Sequence, residues 1–165
     1  MYQIGEFVIY CIHGVCRVMG TEKQLVNRKR SEFLVLEPLV QSGSKYYVPT
    51  ENPTAMGKLR AVLSKDALLQ LMDSDEVRQD HWIQDEGHRK QKYRELIVSA
   101  DRLPLMQMVS SLYRYRGMQE AAGRKFHQCD DNFLRDAERV LSSEISLVMG
   151  LTADEARAFL REHLK

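Results

Sequence analysis

The stretch "YCIHGVCR" (10–17) carries Cys11, His13 and Cys16. These are three of the four soft donors that a structural zinc ion takes in tetrahedral geometry. A fourth donor would have to come from Cys129 or from His81, His88, His127 or His163, all far along the chain. From spacing alone a zinc site stays open. Other reactive patterns are missing. The nine glycines are scattered rather than gathered into a phosphate-binding loop. There is no Gly-x-Ser-x-Gly elbow and no His-Glu-x-x-His pair. The acidic pairs Asp85-Glu86 and Asp130-Asp131 fall at expected helix starts, where negative charge complements the helix dipole, and read as caps. No enzymatic activity is expected.

Charge is the second chemistry on offer. With 24 Lys and Arg against 23 Asp and Glu, the net charge is only +1. Between His88 and Lys125, however, nine cations (Arg89, Lys90, Lys92, Arg94, Arg102, Arg114, Arg116, Arg124, Lys125) face only Glu95, Asp101 and Glu120. The rest of the chain after Arg60 is correspondingly acidic. A basic surface concealed in a neutral total is what a phosphate-contacting protein needs. Solvated helix faces are the plainer reading of the same cluster.

Two kinds of element must position these groups. Up to about Arg60 the pattern is β-like: "EFVIY" (6–10), "VCRVMG" (15–20), "KQLV" (23–26), "EFLVLEPL" (32–39) and "KYYVP" (45–49). Turn signals separate them at His13-Gly14, Gly20-Thr21, "NRKRS" (27–31) and "QSGS" (41–44). Five short strands with tight connections predict a small SH3- or Tudor-like β-barrel. The period then becomes helical. Ser64 caps "KDALLQLM" (65–72), and "GHRKQKYRELIVS" (87–99) sets Tyr93, Leu96 and Ile97 on one face. Asp101 starts "RLPLMQMVSSLYRYR", with Gly117 as its stop. "DDNFLRDAERVLSSEISLVM" (130–149) ends at Gly150, and Thr152 with Glu155 makes a capping box for the last helix. The expected fold is α+β in two domains: the five-stranded barrel, then an all-α domain of about five helices. So small a barrel buries little core and should lean on the helices or on a partner.

Chain length, 165 residues with 44% hydrophobic and 28% charged content, suits such a folded protein. No apolar run approaches the roughly 20 residues of a membrane span. Three cysteines, an odd number, fit a reducing cytoplasm better than a disulfide framework.

Specific residues carry a family resemblance. "IGEFVIYCIHGVCRV" (4–18), with Gly5, Val8, Tyr10, His13, Gly14, Val15 and Val18, resembles an opening that runs through an apolar stretch to Tyr-Pro-x-His-Gly. "YYVPTENPTAMGKLRAVLS" (46–64) resembles a strand-Val-Pro-x-x-Asn segment. "HWIQD" (81–85), "LMQMVSSLYRYR" (105–116) and "AERVLSSEISLVMGLTADEA" (137–156) follow in order. Together they resemble the CarD family of bacterial RNA polymerase-binding transcription regulators, whose barrel is similar to the polymerase-interacting module of transcription-repair coupling factor.

The resemblance implies an RNA polymerase-interacting Tudor-like domain over residues 1–57 and a helical DNA-contacting domain over 58–165. Cys11 then stands at the usual Pro position and Cys16 at a small-residue position, so no metal and no cofactor is expected. The β domain would grip the lobe of the polymerase β subunit through an exposed strand edge, Lys45, Tyr46, Tyr47, Val48 and Pro49, with Tyr47 outward. The helical domain would meet promoter DNA at the upstream edge of the −10 element. Trp82 would wedge into the minor groove, with Arg89, Lys90, Lys92, Arg94, Arg124 and Lys125 on phosphates, largely independent of base sequence. The open complex would be stabilised. No membrane or small-molecule substrate is implied, and the protein would be cytoplasmic, at the nucleoid through RNA polymerase. Two departures reduce phosphate attraction: "IQDEGH" (83–88) follows Trp82, and Asp130-Asp131 stand where basic residues are usual. A Trp82 buried between the domains is the plainer reading of that residue, and a polymerase-bound protein–protein adaptor with little or no DNA contact is the alternative function.

Overall fold

The computed structural model describes residues 1–165. Its first part is one antiparallel sheet of β1 (Phe7–Tyr10), β2 (Val15–Val26), β3 (Lys29–Pro38), β4 (Tyr46–Pro49) and β5 (Leu59–Ala61), in the order β4-β3-β2-β1-β5. The expected break at Gly20-Thr21 is absent. Residues 15–20 and 23–26 form one strand, and the disturbance there is a register shift between Val18 and Gly20. Such a bulge bends a strand without ending it. The turn of the long hairpin is Asn27-Arg28, with φ of 50° and 64°, the left-handed pair that matches strand twist in a two-residue loop. The fifth strand is Leu59–Ala61 on β1, so the sheet runs past the expected domain boundary at residue 57.

The expected barrel is not closed. β4 pairs only with β3 and β5 only with β1, leaving both as edges of an open sheet. Period-2 alternation instead gives the sheet two separate tasks. Val8, Cys16, Val18, Leu34, Leu36, Val48 and Leu59 make a small core, covered by Tyr2, Tyr10, Tyr46, Ala55 and Met56. The last two lie on or beside the single-turn helix α1 (Pro53–Met56), capped by the Asn52 side chain. Their chain neighbours Ile9 and Val15 point the other way, into the helices.

Five longer helices follow: α2 (Lys65–Asp73), α3 (Glu86–Ser99), α4 (Arg102–Ala121), α5 (Gln128–Met149) and α6 (Ala153–Leu164). Ser64 caps α2, Asp85 caps α3, and Thr152 with Glu155 forms the full capping box of α6. Gly150, at φ 67°, closes α5 as expected. Gly117 does not stop α4. The helix continues to Ala121 and the break falls at Gly123, where φ is 71°. A helical glycine only weakens a helix, whereas a left-handed one ends it. Asp130 and Asp131 fall in the first turn of α5, as expected of acids at a helix start, but the N-cap is His127 and Asp130 is 1% exposed. No helix is long and apolar enough to cross a membrane.

Sheet and helices share one core. Ile9 and Val15 belong to the same 22-residue buried cluster as Leu68, Met72, Tyr93, Leu112 and Ile145. This is the support that a sheet of this size needs.

Candidate functional site

At the β4 edge the two tyrosines divide. Tyr46 is half-buried and stacks on His13 with ring centres 3.7 Å apart. Tyr47 is 39% exposed and meets Phe33 edge-on at 6.5 Å. Val48 is fully buried in the sheet core, Pro49 is half-buried, and Lys45 is exposed just before the strand. Cross-strand partners share a face, and the register pairs Val35 with Tyr47, Phe33 with Pro49 and Glu22, and Gln24 with Ser31. Tyr47, Phe33 and Gln24 therefore line one sheet face that ends at exposed Val26. Phe33 escaped sequence reasoning because only strand register brings it beside Tyr47.

The three residues of the opening motif do not converge. Cys16 is buried in the sheet core and its Sγ contacts the Gly14 carbonyl at 3.7 Å. Burial pushes its thiol up to about 12, with Cys11 adding to the rise, which disfavours the thiolate a metal needs. His13 is engaged with Tyr46. No group of three or more His, Cys, Asp or Glu side chains is placed to hold a metal ion. Cys11 has φ of 48°, a conformation that proline cannot adopt. Proline could therefore not replace Cys11 in this backbone without a local change of conformation.

Trp82 lies half-buried against α4, not between sheet and helices. Tyr115 of α4 stacks on its ring at 3.6 Å and 16°. The Arg89 guanidinium sits over the same ring at 4.4 Å. Two groups this close to one ring centre must take opposite faces, so Trp82 is sandwiched and offers solvent its edge. Its flanks are tied as well. The His81 amide donates to Ser111 Oγ at 3.0 Å, the Trp82 amide to Asp80 Oδ1 at 3.1 Å, and the indole N–H to Gln84 Oε1 at 3.2 Å.

Arg89 is not the free phosphate contact expected of it. It is 5% exposed and donates to both Asp130 carboxylate oxygens, at 2.9 and 3.0 Å. Its remaining nitrogen donates to the Ile83 carbonyl at 3.0 Å, next to Trp82. Burial works against the charge, but the hydrogen bond and charge of Asp130 reverse that effect and hold the guanidinium pKa above its ordinary value. The other expected cations are dispersed. Lys90 pairs with Glu86, Arg94 lies over Phe133 of α5, and Lys92 is exposed at the rim of a cavity that Pro104, Gln107 and Met108 of α4 also line. Arg124 and Lys125 are exposed in the α4–α5 connection. Arg114, which the sequence reading did not single out for DNA, is exposed and donates to the Gln79 carbonyl at 3.3 Å, beside the Trp82 segment.

Residues 2–62 match the model of the CarD-like/TRCF RID domain family. The N-terminal segment is a CarD-like RID domain. This family comprises RNA polymerase-interacting, transcription-related domains. The match ends one residue after β5, so the sheet and the matched domain end together. No curated protein matches the chain.

The RID domain is fastened to the helices by polar contacts as well as by core. Glu144 of α5, 1% exposed, accepts from the Leu63 amide at 2.8 Å and from both Arg102 Nε and Nη2 at 2.7 Å. Arg102 also reaches the Ala61 carbonyl, and Arg60 Nε donates to the Ser99 carbonyl at 2.6 Å. Ser143 Oγ accepts from the Val15 amide at 3.0 Å, directly under Gly14. The β4 edge and Trp82 thus sit on one packed unit.

Proposed function

We propose that the protein is a transcription regulator that docks on the RNA polymerase β-subunit lobe through the β4 edge and presents Trp82 to promoter DNA at the upstream edge of the bubble. The observation that carries the polymerase half is the RID-domain match over residues 2–62, whose sheet leaves one side of β4 unpaired. A partner strand could add there, with Tyr47 and Lys45 supplying side-chain contact and Pro49 ending the ladder. Tyr46 and Val48 act from beneath as packing.

For the DNA half, the Trp82 edge is the wedge, slowing reannealing at an unstacked step while needing little base sequence. Lys92, Arg94, Arg124 and Lys125, with Arg114 beside the Trp82 segment, supply phosphate contacts. Lys90 contributes less because Glu86 competes for it.

The test is the lifetime of open promoter complexes formed by bacterial RNA polymerase. Wild type should lengthen it, Trp82→Ala should bind polymerase but lose the effect, and Tyr47→Ala should lose polymerase binding. A wild-type protein that binds polymerase and leaves the lifetime unchanged rejects the wedge.

One observation favours a second reading, an adaptor with little DNA contact: Arg89, Lys90 and Arg102 are all neutralised by carboxylates of the same domain. Salt separates the two. Phosphate contacts lower the logarithm of affinity with a slope of about one per neutralised phosphate, and an apolar contact does not.

A further inference from the structure

The long hairpin of β2 and β3 runs past the rest of the sheet. β1 pairs with β2 over Val15 to Arg17, and β4 pairs with β3 over Phe33 to Leu36. From Lys23 to Ser31 the two strands pair only with each other. This ribbon carries Lys23, Arg28, Lys29 and Arg30, all exposed, while the nearest acids in the chain, Glu22 and Glu32, stand at its base. Lys29 meets Glu51 at 3.8 Å with both side chains largely exposed, and Lys23, Arg28 and Arg30 enter no ion pair.

Two features of the ribbon point to a partner. The first is the turn. When both central residues of a two-residue hairpin loop are left-handed, the second is ordinarily glycine. Here Arg28 holds φ 64°, a strained conformation for a residue with a side chain, and no ion pair within the chain offsets it. The second is the distribution of charge. Cross-strand register puts Lys23, Leu25 and Arg30 on one face and Val26 and Lys29 on the other, with Arg28 at the tip. A flat protein surface engages one face of a ribbon. The major groove of DNA carries phosphates along both walls, admits a two-stranded ribbon and is about 8.5 Å deep. The strand from Lys23 to Val26 reaches about 10 Å at roughly 3.4 Å per step. The major groove of an RNA duplex is too narrow to be entered this way.

We propose that the β2–β3 ribbon enters the major groove of duplex DNA. Lys23 and Arg30 take phosphates of one wall, Lys29 takes the other, and Arg28 reaches the base edges at the floor. This contact goes beyond the function proposed above, in which DNA meets only the helices, and it needs neither polymerase nor Trp82.

The full chain is titrated against a short fluorescent DNA duplex, followed by anisotropy at several salt concentrations and without polymerase. Wild type should bind. Lys29→Ser/Arg30→Ser should lower affinity by about tenfold or more, and the slope of log affinity against log salt by about two, one for each phosphate released. Arg28→Gly should melt no lower than wild type, because glycine takes this φ without strain. It should still bind the duplex at least about fivefold more weakly. Trp82→Ala should leave these differences as they are, so failure of the wedge and failure of the ribbon are read separately. No duplex binding by wild type at low salt, unchanged affinity in either ribbon variant, or equal affinity for an RNA duplex of the same sequence overturns the proposal. So does a ribbon variant that keeps its duplex affinity and loses capture by RNA polymerase, which assigns the ribbon to the polymerase instead.

Discussion

Arg89 and Asp130, 41 residues apart, form a bidentate ion pair whose side chains are 6% and 1% exposed, and the arginine lies over Trp82. An acid and a base that would each be read as surface groups instead make the support on which the exposed indole edge rests. A buried pair contributes little net stability compared with apolar residues, but breaking it strands a charge. Its role here is geometric.

Asp130→Asn should therefore do two things. It should destabilise the fold by about 3–5 kcal/mol, the usual cost of removing one partner of a buried pair. It should also free Trp82, seen as a red-shifted emission and easier acrylamide quenching under native conditions. A variant with unchanged emission and a small stability loss would mean that Tyr115 alone holds the ring.

At the β4 edge, neighbouring tyrosines should behave oppositely. Tyr47→Ala should change stability by no more than about 0.5 kcal/mol, as surface substitutions do, while weakening capture by RNA polymerase. Tyr46→Ala loses the stack on His13 and should cost about 2 kcal/mol, as partial loss of a packed aromatic does. Denaturant melts paired with polymerase pull-down give both readouts. The reverse assignment of stability and binding would move the docking surface to the other face.

Gly14 has φ of 66° and ψ of −140°, and a Cβ there would run into Ser143 Oγ. Gly14→Ala should cost about 1–3 kcal/mol from backbone strain alone, with the collision added to that. The double variant Gly14→Ala/Ser143→Ala should relieve most of the collision but not the strain, and it is to be compared with Ser143→Ala alone, which loses the Val15 amide's acceptor. Full recovery in a melt would show that φ at this position is adjustable.

His13 gives a pH dependence. Burial lowers its pKa from 6.5, and the Arg139 charge on α5 adds to this. The folded state then binds the proton less readily than the unfolded chain, so stability is full above the unfolded value. It declines as pH falls from 6.5 through the folded pKa. His13→Phe keeps an aromatic ring against Tyr46 and should flatten that part of the curve. Thermal melts between about pH 7 and 5, the range where histidine titrates, test this. Equal slopes for both proteins would rule out His13 as the source.

Much of the local structure was legible because its causes are local. The caps Ser64, Asp85 and Thr152, the left-handed Gly150 and the outward Tyr47 follow from short spacing and period-2 alternation. Errors arose where one signal has two local outcomes. Gly20 and Gly117 read equally as breaks or as tolerated residues, and inter-strand and intra-helix hydrogen bonding decided for tolerance. The short strand Leu59–Ala61 shows no clear period and exists because β1 offers it an edge.

By itself the sequence determined the change from β to helical period, the RID-like order of residues and the absence of a catalytic pattern, since each depends on neighbours along the chain. Only the tertiary structure decided that the sheet stays open, that Cys11, His13 and Cys16 part company, and that Arg89 serves Trp82 rather than a phosphate. The physical reason is the same in each case. Whether a polar or charged group is free depends on which distant group desolvates and pairs with it, and Asp130 meets Arg89 only once α3 and α5 have packed.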